Sequence, residues 1–269
     1  MPESFLDDIH VVAREYVSGR FPRASERERQ KIIADWANKI ARARGIVEDF
    51  RIRIRDPKNL RVLDVGSGNG GVSIAFAEAG AEVSGVDIEE DLVAIAVRHA
   101  AAYGVSPSFF FYDGSALPFS DRYFDAALSI SVFEHVRDPR EYLSEIWRVL
   151  KPGGVLYLAL PNRLWPKETH TGLWGLAYFP RIFQDVYVRI CGKNPLKDNN
   201  LHFYTYWRVL KFARESALKG QPWEIRRELG RTHNPFKRVI KAGMRVLGLP
   251  HRALLPHIML LLEKPYETV

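Results

Sequence analysis

The chain is poor in cysteine and has no long apolar run. Cys191 is its only cysteine in 269 residues, which excludes a disulfide framework and a thiolate metal cluster. A lone thiol of this kind reads as a small packed apolar side chain rather than a nucleophile. No stretch approaches the roughly 20 apolar residues of a membrane-spanning helix. The N-terminus carries Glu3, Asp7 and Asp8 in place of a long apolar segment, so it does not read as a secretory leader, and the expected compartment is the cytoplasm. There is no overall acidic surplus either: the net charge is +7. Its distribution is uneven. Residues 1–58 hold 13 basic and 10 acidic side chains, residues 59–160 hold 7 and 14, and residues 161–269 hold 19 and 8. Such a balance concerns partners rather than fold. It favours a phosphorylated or acidic substrate, an anionic membrane surface or nucleic acid, against the plain reading of a high-pI surface.

What is present begins with Val62-Leu63-Asp64-Val65-Gly66-Ser67-Gly68-Asn69-Gly70. A short apolar strand, residues 61–65, runs into closely spaced glycines and then a helix-like stretch over 72–79. Glycines let a backbone turn sharply and approach a ligand closely, and the following helix turns its free N–H groups towards that ligand. Gly66, Gly68 and Gly71 also satisfy the dinucleotide pattern G-x-G-x-x-G, so the loop alone leaves two nucleotide-type readings open. A second strand over 81–86 ends at Asp87, where a carboxylate can accept from ribose hydroxyls. A third, over 108–111, leads to Asp113-Gly114-Ser115-Ala116-Leu117-Pro118. A fourth, over 124–130, leads to Ser131-Val132-Phe133-Glu134-His135. Lys151-Pro152-Gly153-Gly154 then reads as a turn into a fifth strand over 155–159.

In this order and spacing, over residues 60–162, the chain resembles the class I S-adenosylmethionine-dependent methyltransferases. The resemblance implies that Asp64 and the backbone of Gly66, Ser67, Gly68, Asn69 and Gly70 hold the methionine end of S-adenosyl-L-methionine. By the same resemblance Asp87, with Ile88 beside it, takes the ribose, and Asp113, Gly114, Ser115 and Ala116 take the adenine. Ser131 belongs to the same implied cofactor set. The expected fold is α/β, a Rossmann-like doubly wound seven-stranded sheet with N-terminal helices and a helical lid insertion. The alternation of strand and helix leads one to expect parallel pairing. Residues 1–58 read as a helical extension and 59–269 as the methyltransferase domain, with the cofactor-binding core over 59–162. A lid over about 164–219 and C-terminal strands carrying a basic insertion over 220–269 complete it.

Methyl transfer requires alignment of a nucleophile with the methyl group and, for a hydroxyl, removal of its proton. Candidates for that work are Glu134 and His135 after the fourth strand, and His170 in the segment Pro161 to His170. Glu168 reads as a partner for His170, and Arg163 or Lys167 as holders of an anionic group. Each residue also has a bland reading, as pocket lining or a solvated turn. Ubiquinone-biosynthesis O-methyltransferases have Glu-x-x-Glu-His at the first of these positions. Here residue 131 is serine, and no metal is expected. His202, Tyr204 and Tyr206 read chiefly as packing, with Thr205 capping a helix over 207–217.

Two segments suggest a membrane surface: Trp174 to Ile190, and Phe236 to Leu247 with Lys237, Lys241 and Arg245 on one side. Burial against the core, and a solvated flank, are the competing readings. The expected acceptor is a small or lipid-linked molecule with a hydroxyl to methylate, such as a glycan, an isoprenoid-linked saccharide or a quinone-like ring. An RNA methyltransferase that uses the basic C-terminal third is the weaker alternative, and a non-catalytic binding partner a third. The oligomeric state is not legible in the sequence.

Overall fold

The structure, a computed structural model, describes residues 25–168, 171–192, 201–216, 223–228 and 255–266. The helical pattern read before residue 25, His170 and the basic stretch over 236–247 lie outside the described residues. Seven strands form one sheet in the order β3-β2-β1-β4-β5-β7-β6. The chain divides into two compact units. The first holds the described residues up to Pro118 together with Phe124–Ala126, and the second holds Phe119–Tyr123 and the described residues from Ala127 onwards.

In the first unit, α1 (Glu26–Ala37) and α2 (Lys39–Arg53) precede β1 (Arg61–Val65). Arg51 to Arg55 reads in the sequence as an exposed strand or linker, but the helix continues through Arg53. Its last turn is held by ion pairs one turn apart, Arg51 with Glu48 and Arg53 with Asp49, which favour helix at this spacing. Val62, Leu63 and Val65 are fully buried in β1, as a central parallel strand covered on both faces requires. β2 (Glu82–Asp87) pairs parallel with β1 and with β3 (Ser108–Phe111). Between them lie α3 (Gly71–Glu78) and α4 (Glu90–Ala102). α4 buries Leu92, Ile95, Ala96, His99 and Ala100, the i, i+3, i+4, i+7, i+8 stripe of a helix packed on a sheet. α2 is fixed against α3 by the edge-to-face pair Phe50–Phe76, with centroids 5.3 Å apart, and by the Arg44–Glu78 ion pair at 2.9 Å.

The second unit takes the chain from within β4 (Phe124–Ile130) through α5 (Pro139–Val149), β5 (Leu150–Pro161), α6 (Arg181–Ile190), α7 (Tyr206–Glu215), β6 (Glu224–Glu228) and β7 (His257–Glu263). α5 starts as its sequence dictates: the Asp138 carboxylate accepts from the N–H groups of Arg140 and Glu141, and Pro139 takes the first turn. Its far end is capped by buried Lys264, whose ammonium donates to the carbonyls of Trp147 and Leu150 at 2.8 and 2.7 Å. Thr205 caps α7 by accepting from the Arg208 N–H.

The expected doubly wound seven-stranded sheet is present, with β2 parallel to β1 and β3, and β7 hydrogen-bonded antiparallel to both β5 and β6. Two expectations are corrected. The same ladder absorbs the Lys151–Gly154 turn into a longer β5, through Gly153 N–H to Lys264 O at 2.8 Å and Lys264 N–H to Gly154 O at 2.9 Å. Cys191, expected to be packed, is exposed just beyond the end of α6.

Candidate active site

In the first unit the carboxyl ends of β1, β2 and β3 bring one cluster together. The loop after β1 is pinned to β2, with the N–H groups of Gly66 and Ser67 both donating to Val86 O at 2.8 and 2.9 Å. Gly68 and Gly70 have φ values of +56° and +79°, in the left-handed region that glycine enters without strain. Space enforces the choice as well. A Cβ on Gly70 would lie 3.0 Å from Ala96 Cβ and Phe109 Cζ, and one on Gly68 would lie 3.0 Å from the Lys39 ammonium.

Asp87 is buried at the end of β2 and holds the loop in shape. Its Oδ2 accepts from Gly68 N–H at 2.7 Å and its Oδ1 from Glu89 N–H at 3.0 Å. Asp64, buried inside β1, accepts from the Ser73 hydroxyl at 2.7 Å. Burial pushes its carboxyl up to about 6, while the Ser73 hydrogen bond and the charge of Lys39 pull it back. Asp113 is exposed and accepts from Ser115 N–H at 2.9 Å and from its hydroxyl at 2.5 Å. These bonds hold its carboxyl below the ordinary value. Ile88 is exposed next to Gly114, whose Cβ would touch the Ile88 side chain at 3.4 Å. Tyr112, buried by Asp87 and Asp113, has its phenol pushed up to about 12 by burial.

Lys39 and His99, like Ser73 and Tyr112, went unread in the sequence. Lys39 opens α2, and its stem lies 3.1 Å from the position a Gly71 Cβ would occupy. Burial lowers its ammonium, while Asp64 and Asp87 favour the charged form. His99 lies beneath the loop with Nδ1 2.7 Å from Asn69 O; a carbonyl only accepts, so Nδ1 carries the hydrogen. His99 sits on the buried stripe of α4 and could have been flagged as a polar residue on an apolar face. No local pattern marks Lys39.

The residues present suit a polar, charged ligand such as S-adenosyl-L-methionine. Among the described residues, the Ser67 hydroxyl and the Asn69 side-chain amide nitrogen are buried with no hydrogen-bond partner, and such groups are rare unless something else satisfies them. Two buried carboxylates, a cation and exposed Ile88 stand beside them.

In the second unit, Ser131 follows β4 with φ +57°. A non-glycine residue there is strained by about 1–2 kcal/mol, and such strain concentrates at functional sites. Its N–H donates to Ala159 O at 2.8 Å. A single 3₁₀ turn, Phe133–His135, buries Phe133 and Glu134 and leaves His135 half-buried. The Glu134 carbonyl accepts from His202 N–H at 2.7 Å. Phe133 lies edge-on to Tyr204 at 5.6 Å, and His202 stacks on Tyr204 at 5.8 Å. Burial, with help from Arg181, lowers the His202 imidazole. Glu168 is buried. Its Oε2 accepts from the Thr171 N–H and hydroxyl, closing a tight turn.

A methyltransferase domain model matches residues 63–158. A ubiquinone biosynthesis O-methyltransferase of Cereibacter sphaeroides (strain KD131 / KCTC 12085) is 37% identical over 188 residues, covering 63% of this chain and 75% of that protein. The chain belongs to the class I S-adenosylmethionine-dependent methyltransferases. Another such relative, from Rhizobium leguminosarum bv. trifolii (strain WSM2304), is 37% identical over 115 residues, 40% of this chain. The match spans 46% of that relative, just under half its length. Among solved structures, a methyltransferase of Mesorhizobium loti superposes with a TM-score of 0.55 at 17% identity, covering 80% of this chain and 96% of that one. The [4+2]-cyclase SpnF gives 0.56 at 21%, covering 83% and 82%. At such identities the likeness shows the fold of this family member and leaves its reaction to other arguments.

Proposed function

We propose that this protein transfers the methyl group of S-adenosyl-L-methionine to a hydroxyl oxygen of a quinone-like aromatic acceptor, small or carried on a lipid tail. The observation that carries the reading is the loop after β1. Its buried, unsatisfied Ser67 and Asn69 groups lie in the same loop as Gly68, whose amide is fixed by Asp87. The relatives named as ubiquinone biosynthesis O-methyltransferases support the oxygen acceptor.

Bound there, the cofactor supplies a methyl group made electrophilic by its sulfonium. The chain's own groups do the rest. Asp87 accepts from the ribose hydroxyls while keeping the loop shaped, Asp113 and the Ser115–Ala116 backbone meet the adenine edge, and Ile88 gives an apolar wall. Asp64 and Lys39 offer opposite charges to the amine and carboxylate of the methionine end. A phenolic hydroxyl has a pKa of about 10 and is a weak nucleophile at neutral pH. His135 serves as the base that takes its proton, an assistance worth roughly 10²–10⁴ in rate, and buried Glu134 positions the turn that carries it. His170 is the alternative base.

The test is transfer of labelled methyl to a water-soluble dihydroxybenzene and to the same ring with both hydroxyls already methylated. Label in the first product alone supports the reading. Label in neither, in a protein that binds the cofactor, overturns the acceptor assignment. His135→Ala lowers kcat and leaves cofactor affinity in place; an unchanged kcat removes His135 as the base.

A further inference from the structure

We propose that the outward face of α6, with the segment leading into it, is a docking surface for an anionic lipid bilayer. α6 buries one residue, Val188. At 100° per residue, Ile182, Val186, Ile190 and Phe183 fall within a stripe roughly 100° wide on the other side. All four are exposed, Ile182 and Ile190 at 77% and 78%. Trp174, at 64%, and Tyr178 and Phe179 extend the patch. Scattered exposed apolar residues are normal, but seven large ones within seventeen positions are not.

The segment is built to hold these side chains outward. The Tyr187 hydroxyl donates to Trp174 O at 2.9 Å, and the Tyr178 hydroxyl to Leu164 O at 2.8 Å. The Gln184 amide donates to Phe179 O at 3.0 Å, and the Phe179 and Tyr187 rings lie 4.8 Å apart. The polar ends of the aromatics are thus tied to backbone, and the apolar surface stays fixed.

Charge selects the occupant. Arg181 and Arg189 are exposed on the same helix against a single acid, Asp185, and residues 161–269 carry 19 basic side chains against 8 acidic. Both arginines lie on one side of the stripe, Arg189 beside Ile182 and Arg181 further round, and an apolar stripe with a cationic edge suits an interface of anionic headgroups over acyl chains. None of the described helices is long and apolar enough to cross a membrane, so the contact is peripheral. The inference deepens the reading of a lipid-carried acceptor, by naming how such a substrate is reached, but it stands on this face alone.

The experiment is flotation of the full chain with phosphatidylcholine vesicles, with and without phosphatidylglycerol. The native chain is expected to float with the anionic vesicles and stay behind with the neutral ones. The triple variant Ile182→Ser, Phe183→Ser, Ile190→Ser should lose on the order of tenfold or more in partition. Removing each arginine charge should cost about fivefold, tested with Arg181→Gln and Arg189→Gln. Cofactor affinity and turnover of a water-soluble phenol should match the native chain in every variant, which separates loss of docking from loss of fold or chemistry. Vesicle binding without methylation of any phenol would leave docking standing and remove the acceptor reading. Equal flotation of native and triple variant overturns the proposal. So does a dimer in light scattering that the triple variant dissociates, because the face would then belong to a second copy.

Discussion

Asp64 should give cofactor binding and folding stability opposite pH dependences. In the unliganded fold, burial raises its carboxyl from 3.8 to about 6. The folded state therefore holds the proton more tightly than the unfolded chain does. That contribution is fully present below about pH 4 and is lost as the pH rises through about 6. Its size is about 3 kcal/mol, from roughly two units at 1.36 kcal/mol each. Cofactor binding runs the other way, because the cationic end of the methionine favours the carboxylate. Affinity at pH 5 should be about tenfold weaker than at pH 7, with a plateau above about 6.5. This window lies below the titration of the cofactor's own amine at about 8. The assay is calorimetric titration with S-adenosyl-L-methionine from pH 5 to 7, paired with urea unfolding of the unliganded chain. Asp64→Asn isolates the group, since Lys39, Asp87 and Ser73 remain around it, and it should flatten the affinity profile. A native profile already flat over this range, or an unchanged slope in Asp64→Asn, refutes the assignment.

Lys39→Met removes the cation beside Asp64 and Asp87. It should weaken cofactor binding by about 1.5–3 kcal/mol and move the pH midpoint up by about one unit, with partial recovery in Lys39→Arg, all read by the same titration. Asp87→Ala deletes the acceptor for Gly68 N–H and Glu89 N–H as well as the proposed ribose contact, and affinity should fall at least tenfold, on the order of 1.5–3 kcal/mol per charged hydrogen bond. Ser131→Gly relieves the strain at φ +57° against glycine's entropy cost, for a gain of up to about 1 kcal/mol in urea unfolding; a loss of stability contradicts it. Gly85→Ala puts a Cβ 2.6 Å from Phe109 Cδ1 and 3.0 Å from Ser67 Cβ. Its overpacking should cost about 1–3 kcal/mol in the same assay.

The parts legible in the sequence were those encoded by neighbours along the chain. β1 is an apolar run because it is covered on both faces, and Asp138-Pro139 starts α5 by local hydrogen bonding and a preset φ. The glycines, Asp87 and Asp113 mark strand ends, and the structure places them there. Features set by tertiary packing stayed hidden. Lys39 reaches Gly68 only because α2 packs on α3 through Phe50 and Phe76. The direction of β7 is invisible, since Ile258-Met259-Leu260 has the same composition whichever way it pairs. Ser131 carries no signal for a positive φ. For Trp174 to Ile190, an apolar composition with few charges left burial and exposure both open, and packing decides between them: Val188 is buried, while Ile182, Phe183, Val186 and Ile190 are exposed.

The cofactor roles proposed for Asp64, Asp87 and Asp113 all depend on the loop between β1 and α3 holding S-adenosyl-L-methionine. Calorimetric titration of the purified chain with S-adenosyl-L-methionine and, separately, with NADH tests it most directly. Saturable micromolar binding of the first and none of the second is expected. Binding of NADH, or of neither, would contradict it.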